Sequence, residues 1–408
     1  MAEPAEPTFG ATEPAVGAKL GAELGAVVGF VEGVRGDADA WDRAGALPAE
    51  VVKAVAAAGL LAADVPRGYG GAGLSARSLG EVCALLGGVC SALRGLVTVQ
   101  GMVAAALLRW GTDEQRAVWL PALAGGDRLA GFAATEAGAG SDLGALGASV
   151  VRHGPEFGLT GRKVWVTFGE LADVFLVIGR LDEGSGARMV ALLVEADRPG
   201  VAVEPVRDPL GMRAARLAHV AFDDVRVPAG RLVAPPGFGL SHVAATAIDH
   251  GRHTVAWGCV GIAEACLALA VEHAGRRTQG GVRLADHEAV RAVLGRARVA
   301  ASGARLMCAH AAGLRDGRSP AAFGETVVAK YAAAEAAASV SQDALQLHGS
   351  AGCDADSAVG RHFRDARIMQ IIEGSREVAE VRIGDLALRH GQPASRPAGR
   401  GASEEGVT

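Results

Sequence analysis

Two long regions of helical periodicity surround a block of short, strand-like segments, and this order limits the possible folds more than any other feature of the sequence. Before residue 129, apolar residues recur every three or four positions in Pro48–Leu61, Leu79–Leu86 and Val97–Leu108. Short β-branched segments follow, each broken by Gly, Asp or Pro: Gly131–Glu136, Lys163–Phe168, Val174–Gly179, Arg188–Glu195, Val201–Val206 and His219–Val227. Ala-rich helical patterns return after Gly237, in Ser241–Ala274, His287–Leu314, Glu325–Leu347 and Arg376–Arg389.

This order predicts a mainly α protein with a central β domain. Strands and helices do not alternate one by one, so a doubly wound dinucleotide-binding sheet is not expected. We expect a helical domain over 15–128, a small β domain over 129–240, a helical bundle over 241–390 and a disordered tail over 391–408, after a loose lead-in over 1–14. The 58 glycines, the many alanines and an aromatic content of only 4% favour closely packed helices.

Charge and composition argue against several kinds of partner. The 40 basic and 45 acidic residues leave a net charge of −5 with no long run of one sign, so we expect neither nucleic acid nor a polybasic membrane anchor. The acidic, Pro-rich start MAEPAEPTFG is unlike a signal peptide, and we expect no membrane-spanning segment. These features favour a cytoplasmic location.

The six cysteines contain no CxxC pair. Cys83 and Cys90 lie seven residues apart, as do Cys259 and Cys266, which predicts that each pair shares one helix face. We expect buried free thiols, which pack as small apolar side chains in a reducing compartment. No metal site is predicted.

The stretch RHFRDARIMQIIEGS (Arg361–Ser375) contains the main candidate for a catalytic group. Its carboxylate, Glu373, follows two branched apolar residues, which should remove water from it and raise its pKa towards a range useful for proton transfer. Gly374 lets a ligand approach the backbone closely, and Ser375 can cap the helix that follows. A solvated turn between two helices is an equally good interpretation of the spacing alone.

Two further segments could hold a planar ring or a phosphate. The loop FAATEAGAGSD (Phe132–Asp142) offers closely spaced backbone amides and the hydroxyls of Thr135 and Ser141. Farther along, the strand-like segment around LTGRKVWVTFG is predicted to place Trp165 and Thr167 on one face, where the indole could stack on a ring. A plain Gly-rich turn and a core tryptophan are the alternatives, and each segment by itself leaves them open.

Taken together, six motifs in register resemble the acyl-CoA dehydrogenase family, and the resemblance covers about residues 20 to 388. The motifs are TEAGAGSD (Thr135–Asp142), GRKVWVTFGELAD (Gly161–Asp173), VAFDDVRVP (Val220–Pro228), HAGRRTQGGVR (His273–Arg283), QLHGSAG (Gln346–Gly352) and IIEGS (Ile371–Ser375). The resemblance implies a helical amino-terminal domain, a central barrel-like β domain and a carboxy-terminal four-helix bundle, assembled as a homodimer or homotetramer.

The resemblance also implies FAD as cofactor, bound between the β domain and the bundle. The positions that match flavin contacts within one subunit are Phe132, Ala134, Thr135, Gly140, Ser141, Trp165, Thr167 and Ser375. The positions that match contacts to the pyrophosphate and adenine of a neighbouring subunit's FAD are Arg277, Gln279, Gln346, Gly349 and Ser350.

The implied chemistry is the oxidation of an acyl thioester carried by CoA or by an acyl carrier protein. Glu373 would remove the α-proton while a hydride leaves the neighbouring carbon for flavin N5. Hydrogen bonds to the thioester carbonyl, in the family from a flavin hydroxyl and from the amide of the base, would stabilise the developing enolate. Asp249, Arg252 and Gly374 match substrate-contacting positions, and Gly251 occupies the base position that a minority of relatives use. The electrons would pass to an electron-transfer flavoprotein or another acceptor.

Arg94, within SALRGLVTVQGMV (Ser91–Val103), is the main indication of the substrate. It aligns with an arginine that holds the distal carboxylate in glutaryl-CoA dehydrogenases, and a cation there favours short polar or acidic acyl groups. An arginine on a helix surface is the alternative. The combination of LRxLxTVxGM, DAxQLHG and IIEGS also resembles dehydrogenases of polyketide pathways, which oxidise a small hydroxylated or amino acyl group on a carrier protein.

The chain departs from the family pattern at Ala137, Phe168, Gly280, Arg283, Glu288 and Cys353. Gly280 lacks an aromatic side chain found near the neighbouring subunit's flavin, and Glu288 introduces a charge where relatives carry a neutral amide. We therefore expect weaker retention of FAD. Two other functions stay open: a flavin-dependent monooxygenase on the same fold, and a non-catalytic scaffold that has lost its flavin. Relatives with the monooxygenase activity generally lack the glutamate that stands here as Glu373.

Overall fold

The computed structural model describes residues 24–25, 27–183 and 186–391. The predicted lead-in at 1–14 lies outside the described residues, and so does the predicted tail at 391–408 except for Gly391. Helices come first, strands second and helices last, which confirms the predicted mainly α fold with a central β domain.

The described amino-terminal helices are α1 (27–34), α2 (Ala38–Ala44), α3 (Ala49–Ala57), α4 (Ala76–Gly87), α5 (Ser91–Trp110) and α6 (Asp113–Gly125). The strands are β1 (Ala130–Ala133), β2 (Ser149–His153), β3 (Glu156–Val166), β4 (Val174–Asp182), β5 (Ala187–Glu195), β6 (Val201–Pro205), β7 (Ala218–Pro228), β8 (Leu232–Val233), β9 (Thr278–Gln279) and β10 (Val282–Arg283). The carboxy-terminal helices are α7 (Ala245–Arg276), α8 (Glu288–Asp316), α9 (Ala322–His348), α10 (Ala358–Met369) and α11 (Arg376–Gly391), and a π-helical segment, Gly239–Ala244, leads into α7.

Strands β1 to β8 form one sheet, and β9 pairs with β10 in a separate hairpin. The sheet order is β6-β7-β3-β2-β4-β5-β8, with β1 paired to β4 outside this path. The pairs β1–β4 and β2–β4 are parallel, and the other neighbours in the sheet are antiparallel. Buried Gln100 of α5 fixes the start of β1, since its Oε1 accepts from Ala130 N (2.9 Å) and its Nε2 donates to the carbonyl of Arg128 (2.8 Å). The start of β1 is thereby anchored beside α5.

Helix α7 lies at the centre of the bundle, packed against α4, α5, α8 and α9. Glycines permit its close approach to α4: a Cβ built on Gly87 would lie 2.6 Å from the carbonyl oxygen of Gly258. A side chain at this crossing would push the two backbones apart. The contact therefore supports the prediction, made from the Gly and Ala content, of closely packed helices.

Two helices are long and apolar enough to cross a membrane by length and composition, Ser91–Trp110 and Gly239–Arg276. Length and composition do not by themselves make either helix a membrane span, so the expectation of no membrane-spanning segment stays a prediction. Within the apolar window of each helix, 89% and 67% of the residues are buried inside the protein. Both helices form part of its core.

The cysteines follow the prediction only in part. Cys259 and Cys266 lie buried on α7, whereas Cys83 belongs to α4 and Cys90 immediately precedes α5. The predicted shared helix face for Cys83 and Cys90 was wrong because a break between two helices separates them. Cys353 is exposed, in contrast to the buried thiols expected.

Candidate active site

The turn between α10 and α11 holds Glu373 in an unusual backbone conformation. Glu373 has a φ of +55° and Gly374 a φ of +100°, so both lie in the left-handed region. For a residue with a side chain this conformation costs about 1–2 kcal/mol, so neighbouring groups must hold it in place. Two buried cations do so: Arg252 Nε donates to the carbonyl of Glu373 (3.0 Å), and Lys330 Nζ donates to the carbonyl of Gly374 (2.8 Å).

The carboxylate of Glu373 is directed at Gly251 of α7. A Cβ built on Gly251 would lie 2.8 Å from both Cδ and Oε2 of Glu373, and 3.0 Å from Sδ of Met102. Gly251 thus leaves the space that the carboxylate occupies. Burial raises the pKa of Glu373, and the nearby cations Arg252 and Lys330 offset this only in part. The side chain is therefore turned inward and has a raised affinity for a proton.

Ser375 lies between this turn and α11. Its Oγ accepts a hydrogen bond from the backbone nitrogen of Val378 (3.5 Å), which is the capping interaction predicted for it. The cap fixes where α11 begins, and so limits the length of the turn that carries Glu373.

Arg94 of α5 is buried deeper in the same region. It is 1% exposed and lies against Gly258, where a Cβ would be 2.8 Å from its Nε. Gly258 is seven residues beyond Gly251, so the two contacts lie about 10 Å apart along α7. Arg94 Nη1 donates to Thr98 Oγ1 (3.0 Å) and Nη2 lies 3.1 Å from Met369 Sδ. Among the described residues no carboxylate pairs with Arg94 and its Nε has no partner, so the surface alternative is wrong.

Two hydroxyls connect these two levels of the site. Thr98 Oγ1 donates to Thr254 Oγ1 (3.0 Å), which in turn donates to the carbonyls of His250 (3.2 Å) and Gly251 (3.1 Å). In this series of hydrogen bonds, each donor group points away from Arg94 and towards Gly251. The interface of α5 and α7 therefore carries a continuous polar path from the buried guanidinium to the level of Glu373.

The sequence analysis placed Asp249 and Arg252 at substrate-contacting positions. In the structure, Asp249 Oδ2 accepts from Arg315 Nη1 (2.6 Å), and its buried Oδ1 has no partner within the described part of the chain. Arg252 is directed at the turn of Glu373, and its guanidinium lies 5.7 Å from the centre of the Phe323 ring. Asp249 thus links α7 to α8, and Arg252 links α7 to the turn.

A His–Asp pair beside this site, with a buried imidazole and a half-buried carboxylate, had no counterpart among the sequence motifs. His250 Nε2 lies 3.2 Å from Asp64 Oδ2, and a Cβ built on Gly101 would lie 2.9 Å from the same nitrogen. Burial acts to raise the pKa of Asp64, but its charge and hydrogen-bond interactions with His250 leave that pKa below the usual value. The two residues come from distant parts of the chain, so spacing could not reveal the pair.

The loop Phe132–Asp142 is held by a second buried pair. Lys163 is fully buried, and its Nζ donates to Glu136 Oε1 (2.6 Å) and to the carbonyl of Ala134 (3.0 Å). The Glu136 carboxylate also accepts from the backbone nitrogens of Gly147 (2.8 Å) and Ala148 (2.9 Å). This leaves Gly140 and Ser141 exposed on a fixed loop with Thr135 half-buried beside them. The sequence analysis did not single out the pair.

The prediction that Trp165 and Thr167 share one face of a strand was wrong. β3 ends at Val166, Trp165 has a φ of +59°, and Thr167 lies in the following turn, so alternation does not apply there. Trp165 is nevertheless 55% exposed, with His219 edge-on at 5.7 Å between ring centres. An exposed indole beside a fixed loop with accessible amides and hydroxyls fits a planar, hydrogen-bonding group such as a flavin.

The positions assigned to a neighbouring subunit's FAD meet at the surface. Arg277 and Gln279 lie at and after the end of α7, and Gln346, Gly349 and Ser350 at and after the last turn of α9, and all are exposed. His273 and His348 join the two helix ends, with rings stacked at 4.2 Å between centres. The structure therefore brings these two distant segments of sequence together.

Comparisons with known proteins identify the family of the chain. Models of the acyl-CoA dehydrogenase N-terminal, middle and C-terminal domains match residues 26–127, 131–225 and 239–388. The mitochondrial short-chain specific acyl-CoA dehydrogenase of Homo sapiens is 32% identical over 350 residues, covering 85% of this chain and 84% of that protein.

Solved structures are similar over most of their length. FkbI, described as for biosynthesis of the methoxymalonyl extender unit of the polyketide Fk520, has a TM-score of 0.82 at 39% identity and covers 89% of this chain and 99% of its own. Glutaryl-CoA dehydrogenase from Mycobacterium smegmatis has a TM-score of 0.86 at 28% identity, covering 93% and 96%. The chain belongs to the acyl-CoA dehydrogenase family and is an FAD-dependent oxidoreductase of that family.

Proposed function

We propose that this enzyme oxidises a short, polar acyl thioester, carried by CoA or by an acyl carrier protein, with Glu373 as the base that removes the α-proton. The observation that carries the proposal is the position of Glu373. Its carboxylate is turned inward over Gly251, on a turn whose two carbonyls are held by cations. A carboxylate with a raised pKa binds the abstracted proton more tightly than a solvated one would.

Different residues of this chain serve binding and proton transfer. Gly251 has no side chain, so the carboxylate of Glu373 can lie close above α7. The hydride that leaves the β-carbon needs an acceptor, which FAD would supply when bound. Phe132, Ala134, Thr135, Gly140, Ser141, Trp165, Thr167 and Ser375 would hold the flavin. Glu373 must release its proton after each turnover, which exchange with water can accomplish.

Arg94 supports the choice of a short and polar acyl group. A buried guanidinium without a carboxylate partner costs several kcal/mol, and this cost is offset when a ligand supplies an acceptor. The deep end of the site lies about 10 Å from the level of the base, so only a few carbon atoms fit between them. The similarity of this chain to glutaryl-CoA dehydrogenase and to FkbI is consistent with a small acyl group that ends in oxygen.

We also propose that the enzyme is a homo-oligomer in which each subunit completes its neighbour's flavin site. The exposed segments around Arg277 and Gln346 lie side by side, and both match family positions that contact a neighbouring FAD. Mixing subunits that carry R277A with subunits that carry T135A and W165A tests this. Restored flavin binding in the mixture supports shared sites, and additive loss contradicts them.

The decisive experiment presents candidate acyl carrier proteins and acyl-CoAs to the enzyme and measures intact mass. Loss of two mass units, together with bleaching of the flavin under anaerobic conditions, supports the proposal and identifies the carrier. E373Q should retain FAD but lose at least about 100-fold in flavin reduction. Rapid oxygen use by NADH-reduced flavin with no desaturated or oxidised acyl product would favour a monooxygenase instead.

A further inference from the structure

Lys330 on α9 is a buried cation that none of the sequence motifs indicated. It is 3% exposed, and its Nζ donates to the carbonyl of Gly374 at 2.8 Å. Together with Arg252 and Arg382 it lines a small cleft behind Glu373. No carboxylate lies within ion-pair distance of its Nζ among the residues that the structure describes. Its hydrogen bond to Gly374 therefore accounts for the direction of the side chain.

Burying an ammonium group is unfavourable, and the folded protein nevertheless buries that of Lys330. Burial lowers the pKa of Lys330 to about 8, although Cys259 and Glu373 act to raise it. The carbonyl that Lys330 holds belongs to a turn with two consecutive left-handed residues, which local backbone preference does not stabilise. A hydrogen bond from outside the turn is what such a conformation requires.

Several charged or titratable groups on four helices face Lys330 and Glu373. They are Arg94 from α5, His250, Arg252 and Cys259 from α7, Glu335 from α9 and Arg382 from α11. Arg252 holds the carbonyl of Glu373, and Lys330 holds the next carbonyl along the chain. Lys330 and Arg252 thus each combine a fixed contact to the turn with a positive charge that acts on the carboxylate, and Lys330 is the one that holds Gly374.

We propose that Lys330 is a positioning residue that fixes the Glu373–Gly374 turn and favours the ionised carboxylate of Glu373 in the resting enzyme. This inference rests on the proposed role of Glu373 as the base. The hydrogen bond sets the direction from which the carboxylate approaches the substrate, and the positive charge opposes its premature protonation. Arg252 alone would hold only one of the two carbonyls.

The kinetic test compares K330M with K53M, the same substitution at an exposed lysine of α3. K330M should lower kcat by about tenfold or more, with KM nearly unchanged, because the turn is displaced. It should also move the acidic limb of the pH profile of kcat/KM upward by about one unit, because a neighbouring positive charge is lost. K330R keeps the charge and should restore the acidic limb. K53M should match the wild type in both respects.

A second measurement needs no turnover. Because the pKa of Glu373 is raised in the folded state, the wild type should lose stability relative to E373Q as pH rises from 4.5 through that raised pKa. In a K330M background, the difference in melting temperature caused by E373Q should develop over a pH range that extends to higher values. Flavin content and melting temperature at pH 7 report whether K330M folds, and K330Q replaces it if it does not.

The two hypotheses fail in different ways. Wild-type turnover by E373Q contradicts the proposed function, while the pH range of the stability gap still reports what Lys330 does to the carboxylate. An unchanged acidic limb in K330M together with an unchanged kcat overturns the role of Lys330. A lower melting temperature with no shift in either pH range shows a purely structural role and overturns it equally.

Discussion

Replacing Gly251 with alanine should displace the base without altering its chemistry. The added Cβ would lie 2.8 Å from Cδ and Oε2 of Glu373, against a lower limit of 3.4 Å for ordinary contact. The carboxylate must therefore retreat by about 0.6 Å or more. A misplacement of about 1 Å can cost 100-fold in rate, so we expect G251A to lower kcat by about 10- to 100-fold.

The cost of G251A should appear in activity and hardly in stability. The clash falls on the end of a flexible side chain, and alanine is favoured over glycine in a helix by up to about 1 kcal/mol. The matched control is G275A on the same helix, where a Cβ would meet nothing within 4 Å. G275A should keep wild-type kcat.

The assay is anaerobic reduction of the flavin by an accepted thioester, followed in a stopped-flow instrument, with melting temperature and flavin content measured on the same samples. If G251A reduced its flavin as fast as G275A, the carboxylate would not need the space above Gly251. If its loss of rate merely followed a loss of flavin or of folded protein, the reasoning would also be refuted.

Three further predictions follow from other contacts. R94M should lower kcat/KM for acidic or hydroxylated acyl thioesters about 10-fold or more beyond its effect on a butyryl thioester. Its free energy of unfolding should be equal to that of the wild type or higher by about 1–4 kcal/mol, because an unpaired buried charge is removed. Equal losses of kcat/KM on all substrates would make Arg94 structural. E373Q should melt at a higher temperature than the wild type at pH 7 but not at pH 4, where Glu373 is protonated in both the folded and the unfolded chain; a difference that stays constant with pH would contradict its raised pKa. K163M should destabilise the protein by about 3–5 kcal/mol in urea unfolding and release FAD, because the Glu136 carboxylate loses its buried partner, and K163M/E136Q should recover part of the loss.

Much of the architecture follows from local pattern. The observed strands β1 and β3 to β7 overlap the segments whose β-branched residues and breakers predicted them, although β3 begins at Glu156, seven residues before the predicted segment. The long helices follow their apolar period. Two elements that the pattern missed do not have a purely apolar buried face. β2 buries only Val150, and α10 turns Arg361 and Asp365 inward, where an ion pair and a hydrogen bond hold them.

The proposed base, Glu373, could be singled out from its sequence neighbours and from the family motifs. The surroundings that favour this role could not. These surroundings are the left-handed turn, the two cations that hold the carbonyls of the turn, and the space over Gly251. They depend on helices that lie far apart in the chain. The same applies to Arg94, whose isolation from carboxylates becomes visible only when α5, α7 and α10 are packed together.

The sequence by itself determined the order of helices and strands, the family, and which residue types stand at the positions proposed to react. Tertiary structure decided which carboxylate loses its water, which cations face it, and which charge is left without a partner. Propensity and periodicity act between near neighbours along the chain, whereas desolvation and Coulomb interaction depend on distance in space, and only folding sets that distance.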